Sequence, residues 1–175
     1  MLEAAGVEHR AVKPAVDEAQ VKALYSDPTQ LAGELAAAKA GSVDSDWVIG
    51  SDSVVSVQGQ LFDKPKDHAE AEDHLRFFSG KAMILTSAVA LARNGAENWR
   101  HVASAILQVR PLSDDFIHSY LDAEWPDVGY CVGVFRLEGR GVQLFDSIDG
   151  DHFTILGMPL LPLLGALRTR GLLPT

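Results

Sequence analysis

Residues 47–65 read WVIGSDSVVSVQGQLFDKP, and one carboxylate within this stretch governs how the rest of the chain is understood. Trp47, Val48 and Ile49 form an apolar run that reads as a buried strand. Gly50, Ser51 and Asp52 end the run, and Val54, Val55 and Val57 resume it. Gln58-Gly59 turns the chain, and Lys64-Pro65 follows directly after Asp63. A carboxylate held in an apolar strand is costly unless something pairs it. Asp52 therefore calls for a cation, a metal or several N–H donors, with Lys64, just past the turn, as one source of charge. Asp52 is the first candidate for chemistry.

Helices flank this stretch. On the N-terminal side, Asp27-Pro28-Thr29-Gln30 is a helix start with a cap, a proline at the first helical position and a capping-box glutamine. Leu31, Leu35 and Ala38 mark its apolar face and Gly41 ends it. Lys39 sits in its last turn, where the helix field favours a cation in any case. Earlier still, Gly6 stops a short helical opening, His9–Val16 holds a short strand before Pro14, and Asp17-Glu18 follow. That acidic pair reads either as a solvated loop or as a holder of a divalent cation. On the C-terminal side, Asp67 caps a helix through Phe78 whose stripe is Ala71, Leu75 and Phe78. Met83–Leu91 and Trp99–Val109 read as an antiparallel pair joined by a loop of several residues around Asn94-Gly95. Ser113 opens another helix, a glycine-punctuated segment runs from Gly129 to Val142, and Pro159 starts the last helix. Asp149-Gly150-Asp151 is a polar turn without the acidic spacing of a calcium loop. The sum is an α/β domain with a mixed sheet.

Composition narrows the function classes. A chain of 175 residues fits one domain, and its 47% apolar and 22% charged content is that of a globular protein. A net charge of −9 repels nucleic acid polymers. It leaves room for a small nucleotide held by a local cationic pocket or arriving with a metal. Cys131 is the lone cysteine, read as a small buried hydrophobe in a reducing compartment. Glu3, Glu8, His9 and Arg10 crowd the start without an apolar core, and Pro162 breaks the apolar stretch from Leu160 to Leu167. These features point to a cytoplasmic protein that does not enter a membrane.

In order along the chain, these residues resemble the Maf-like nucleotide pyrophosphatases. The resemblance rests on Asp17-Glu18, Lys39-Ala40, Gly50-Ser51-Asp52-Ser53, Lys64-Pro65, Ser79-Gly80, the Gly129–Gly141 segment, Asp149-Gly150-Asp151 and Gly157-Met158-Pro159-Leu160. It implies a mixed, twisted sheet with flanking helices around a central cleft, as in the related inosine triphosphate pyrophosphatases. It also implies metal-dependent hydrolysis of a nucleoside triphosphate to the monophosphate and pyrophosphate, with Mg2+ as the ion and Mn2+ as its alternative. Asp52 matches the family's proton acceptor, and Glu18, Lys39 and Lys64 its charged set, with Glu18 and Asp52 as the metal holders. Ser53 and Glu138 match positions tied to base selectivity. A glutamate at 138 resembles the branch acting on 7-methylguanosine triphosphate, because a carboxylate suits guanine's N1 and N2 donor edge. The implied partner is a small nucleotide, with a homodimer as the assembly to consider.

Two departures stand beside the resemblance. The family opens with a strand and a loop of serines and an arginine that grips phosphate, whereas Met1–Gly6 aligns with the end of the helix that follows that loop. The expectation is a single Maf-like domain over 1–175, truncated at its N-terminus, with an exposed sheet edge and weakened triphosphate binding. After Ser79-Gly80, Lys81-Ala82-Met83 replaces the family's histidine. Competing readings are a nucleotide-binding or regulatory protein without turnover, and a pyrophosphatase of thymidine, uridine or inosine triphosphates.

Overall fold

Short polar side chains start five of the helices in the computed structural model, which describes Met1–Thr175. The Asp17 carboxylate accepts from the amides of Ala19 and Gln20 and opens α1 (Glu18–Leu24). Asp27 accepts from the Gln30 amide at 2.9 Å and opens α2 (Pro28–Gly41), with Pro28 where a missing N–H costs nothing. Asp67 caps α3 (His68–Phe78), Ser113 caps α4 (Asp114–Glu124) and Asp151 caps the short α5 (His152–Ile155). The last helix, α6 (Leu160–Thr169), follows Pro159. Helix α1 thus forms where an acidic loop was one reading, because Asp17 is a cap. The short strand expected before Pro14 does not form. These residues are almost all exposed, so water satisfies a backbone that no neighbouring strand pairs.

Five strands make one sheet in the order β2-β1-β3-β4-β5: β1 (Trp47–Val57), β2 (Gln60–Phe62), β3 (Ala82–Arg93), β4 (Ala96–Val109) and β5 (Phe145–Asp149). The α/β class with flanking helices is as expected. The sheet itself is antiparallel where a mixed one was anticipated, and two of its neighbouring pairs, β1–β2 and β3–β4, are tight hairpins. Gln58 (φ 53°) with Gly59 (φ 80°), and Asn94 (φ 50°) with Gly95 (φ 79°), supply the paired left-handed residues of two-residue hairpin turns. The β3–β4 connection is therefore shorter than the expected loop. Nor is β1 interrupted at Gly50–Asp52. Strand β2 pairs with Val55–Val57 alone, so Trp47–Val54 has no strand on that side. A cavity of about 470 Å³ is lined there by Trp47, Val48 and Ile49. Three successive strand residues point to alternate faces, so a cavity touching all of them runs along the strand's edge.

The chain divides into two compact units built from separated stretches. One comprises Met1–Ser53, Thr86–Ala103 and Asp151–Thr175, and the other Val54–Leu85 and Ser104–Gly150. The first has a core of Val7, Val89, Leu91, Leu160, Leu163 and Leu167. Here the leucine spacing of α6 lays one apolar stripe on the sheet. In the second, α3 and α4 pack together, and Phe62 of β2 meets Phe78 edge-on at 4.8 Å. No helix is long and apolar enough to cross a membrane.

Candidate active site

Gly50 sets the position of Asp52. A Cβ at residue 50 would lie 2.3 Å from the Ala36 carbonyl oxygen and 2.5 Å from the Ala40 amide, so only glycine lets α2 lie this close to β1. The same helix buries Leu31, Leu35, Ala36 and Ala40. Lys39 precedes Ala40 at this contact, and Asp52 lies two residues beyond Gly50. Their side chains meet, with Lys39 Nζ donating to Asp52 Oδ1 at 2.5 Å. From α1, Glu18 Oε1 lies 2.9 Å from the same ammonium. Lys39 and Asp52 are only 18% and 15% exposed, and Glu18 is 44% exposed. The partner of Asp52 is thus Lys39, thirteen residues upstream, and not the nearby-in-sequence Lys64, which belongs to the second unit. The sequence argument placed Asp52 correctly as a carboxylate needing a cation, but it could not foresee the helix contact that delivers one.

One ammonium between two carboxylates gives the trio by itself a formal net charge of minus one. Burial is the largest influence on Asp52 and raises its pKa above the ordinary aspartate value, assisted by the charge of Glu18 and only partly offset by Lys39 and Lys22. For Lys39, burial opposes the charged form most strongly, but the hydrogen bonds and charges of Asp52 and Glu18 together prevail and raise its pKa. The result is a lysine that is cationic at neutral pH holding an aspartate that is more basic than usual. That combination suits a proton acceptor.

The carboxylates also bear on a divalent ion. Glu18 and Asp52 offer hard oxygen donors, and magnesium bound with phosphate substrates takes one or two protein carboxylates and fills its other positions with phosphate and water. No group of three or more His, Cys, Asp or Glu side chains forms a cage. The donor set fits an ion that arrives with a nucleotide.

Ser53, next to Asp52, is tied into a chain of hydroxyls. Ser87 Oγ donates to the Thr154 carbonyl at 2.7 Å, which uses its only proton, so Ser53 Oγ donates to Ser87 Oγ at 2.7 Å. What Ser53 has left for a ligand is a hydrogen-bond acceptor.

Lys64 and Glu138 lie in the second unit. The loop carrying Lys64 is anchored to α3, where Glu70 accepts from the Lys66 amide at 2.6 Å. Lys64 lines a cavity of about 480 Å³ with Asp63, Lys66, Glu70 and His74. Glu138 is exposed within the glycine-rich segment, which folds back on itself: a Cβ at Gly141 would meet the Arg136 carbonyl oxygen at 2.4 Å. Beside it, Arg136 joins Asp127 at 2.7 Å and Glu124 at 3.4 Å. Cys131 is half-buried where a buried residue was expected, and burial raises its thiol pKa, which disfavours the thiolate. Sequence reasoning did not single out Lys22, Ser87 or Arg136. Lys22 was within reach only through the helical spacing from Glu18, and that helix went unread.

The chain matches the family described as Maf-like protein over residues 1–170. A Rhizobium etli protein named 7-methyl-GTP pyrophosphatase is 46% identical over 171 residues, spanning 95% of this chain and 83% of that protein. A Sphingopyxis alaskensis protein named nucleoside triphosphate pyrophosphatase is 43% identical over 183 residues, spanning 99% of this chain and 92% of its own length. A Rhizobium meliloti protein named 7-methyl-GTP pyrophosphatase is 43% identical over 179 residues, spanning 98% and 90% respectively.

Proposed function

Because the chain belongs to the Maf-like family, we propose that it is a nucleoside triphosphate pyrophosphatase, with 7-methylguanosine triphosphate as its preferred substrate. The observation that carries the chemistry is the buried Asp52 carboxylate, made more basic by burial and held by Lys39 at 2.5 Å. In the reaction, water attacks the α-phosphorus, a new P–O bond forms, and the bond to the bridging oxygen of the β-phosphate breaks. Asp52 accepts the proton of the attacking water. Lys39 neutralises a phosphate oxygen as negative charge moves toward the departing pyrophosphate, and the family resemblance gives Lys64 the same role. Glu18 keeps Lys39 in place from α1. Glu18 and Asp52 would hold a magnesium ion, with manganese as its alternative, and such an ion supplies charge neutralisation and water polarisation when bound.

Base choice rests on acceptors. Glu138 is exposed in a tightly folded glycine-rich turn, and its carboxylate accepts from the N1 and N2 hydrogens of guanine. Ser53, its proton committed to Ser87, also presents an acceptor. The names of the two relatives called 7-methyl-GTP pyrophosphatase support this substrate assignment. The cytoplasm, where a lone cysteine stays reduced, is the expected setting.

Pyrophosphate release from 7-methylguanosine, guanosine, uridine, thymidine and inosine triphosphates, with magnesium and an Asp52→Asn control, tests this reading. Turnover of the methylated substrate above the others, lost in the variant, supports it. Preference for uridine or thymidine triphosphate overturns the substrate assignment. Nucleotide affinity without turnover of any member of the panel would identify a nucleotide-binding protein instead.

A further inference from the structure

We propose that Lys22 is a further substrate-binding residue, whose ammonium takes a phosphate oxygen of the nucleotide. The inference rests on the nucleotide pyrophosphatase reading and adds a residue to the same site. Lys22 lies four positions after Glu18 on α1, and residues at that spacing share one helix face. That face is turned toward the buried trio, because Glu18 reaches Lys39 Nζ at 2.9 Å and α1 packs on α2. Lys22 is half-buried, and its positive charge acts on Asp52.

Charge balance gives this placement a purpose. Glu18, Lys39 and Asp52 together carry an excess negative charge, and a triphosphate approaching them alone would be repelled. Lys22 brings the group of four to neutrality. A lysine ammonium on a flexible four-carbon stem can then exchange carboxylate neighbours for a phosphate oxygen without moving the helix. The plain alternative is a helix-surface pair between Glu18 and Lys22, which would contribute only a few tenths of a kcal/mol to the helix and nothing to substrate binding.

The two readings separate in a split between KM and kcat. Lys22→Gln, Lys22→Arg and the unaltered protein are compared for turnover of 7-methylguanosine triphosphate with magnesium. Affinity is measured in parallel for an analogue whose α,β-bridging oxygen is replaced by methylene. A charge-assisted contact to phosphate predicts that Lys22→Gln raises KM and the analogue's Kd by roughly ten- to a hundredfold. It also predicts that kcat changes less than about threefold, and that Lys22→Arg recovers most of the affinity. A Lys22→Gln variant within about twofold of the unaltered protein in both KM and Kd overturns the proposal. So does a loss of affinity that accompanies a lowered melting temperature and is not recovered by arginine, since that pattern assigns Lys22 to helix packing. If the unaltered protein neither binds nor turns over any triphosphate, the functional reading fails first, and this inference falls with it.

Discussion

Among the places where one cation meets more than one carboxylate, the clusters of Lys39 and of Arg136 differ most in how they are built. In the first unit, Lys39 meets Asp52 at 2.5 Å and Glu18 at 2.9 Å. In the second, Arg136 meets Asp127 at 2.7 Å and Glu124 at 3.4 Å. The arginine cluster is local in sequence, closing one segment back on the end of α4 with a planar fork that cannot lose its proton. The lysine cluster is drawn from α1, α2 and β1, and it holds an aspartate whose pKa is raised by burial. A fork with fixed donors fastens a fold. A single ammonium on a flexible stem, shared between two carboxylates, can pass from protein to phosphate. On the proposed function, the lysine cluster is the working one.

The largest expected effect comes from removing the base. Asp52→Asn should lower kcat by about 10²- to 10⁴-fold, measured by pyrophosphate release, while an analogue's affinity changes far less. The same change should not cost stability. The folded-state pKa of Asp52 lies above its reference value of 3.8. The stabilising contribution of its protonation is therefore complete below about pH 3.8 and is lost as pH rises through the folded value. At neutral pH the folded protein holds Asp52 ionised at a cost, so Asp52→Asn should melt at or above the temperature of the unaltered protein. A clear fall would contradict the burial argument.

Lys39→Met should act on both properties. Lys39 has a folded-state pKa above 10.5, so its contribution is complete below about pH 10.5 and is lost only as pH rises beyond it. Removing it at neutral pH leaves a buried carboxylate without its cation, which should lower unfolding free energy by about 3 kcal/mol in urea titrations and abolish turnover. Gly50→Ala should follow, at about 1–3 kcal/mol or more, because the new methyl collides with α2 backbone that cannot give way. Its turnover should fall as well, since Lys39 moves with the helix.

The exchange of cations sharpens the comparison at smaller scale. Arg136→Lys should lower the melting temperature slightly, by loss of the fork, with little change in kcat. Lys39→Arg should do the reverse, keeping most of the stability and losing turnover. Smaller still, Glu138→Gln should shift the ratio of kcat/KM between guanosine and uridine substrates by roughly tenfold toward uridine, with stability unchanged.

The sequence made two of the helices with capping aspartates legible, because a cap and its helix are neighbours and an apolar stripe follows: Asp27 and Asp67 are where the pattern put them. Hairpin turns were readable for the same reason at Gln58-Gly59 and Asn94-Gly95. The continuity of β1 through Gly50 was not, since the break there was inferred from residue types alone and the cause of the glycine is a contact with α2. Asp52 could be singled out from the cost of an unpaired carboxylate, yet its partner lay in another element and local spacing pointed to Lys64. Helix α1 has seven residues and none is buried, so it carries no apolar stripe to read. With it the sequence concealed Lys22 and the route by which Glu18 reaches Lys39.

Hydrolysis of 7-methylguanosine triphosphate in water enriched in oxygen-18 tests most directly whether water is directed at the α-phosphorus, as the role given to Asp52 requires. Mass analysis of the two products after a single turnover should find the label in the nucleoside monophosphate and none in pyrophosphate. Label in the pyrophosphate would mean that water attacks the β-phosphorus, and the role given to Asp52 would be wrong.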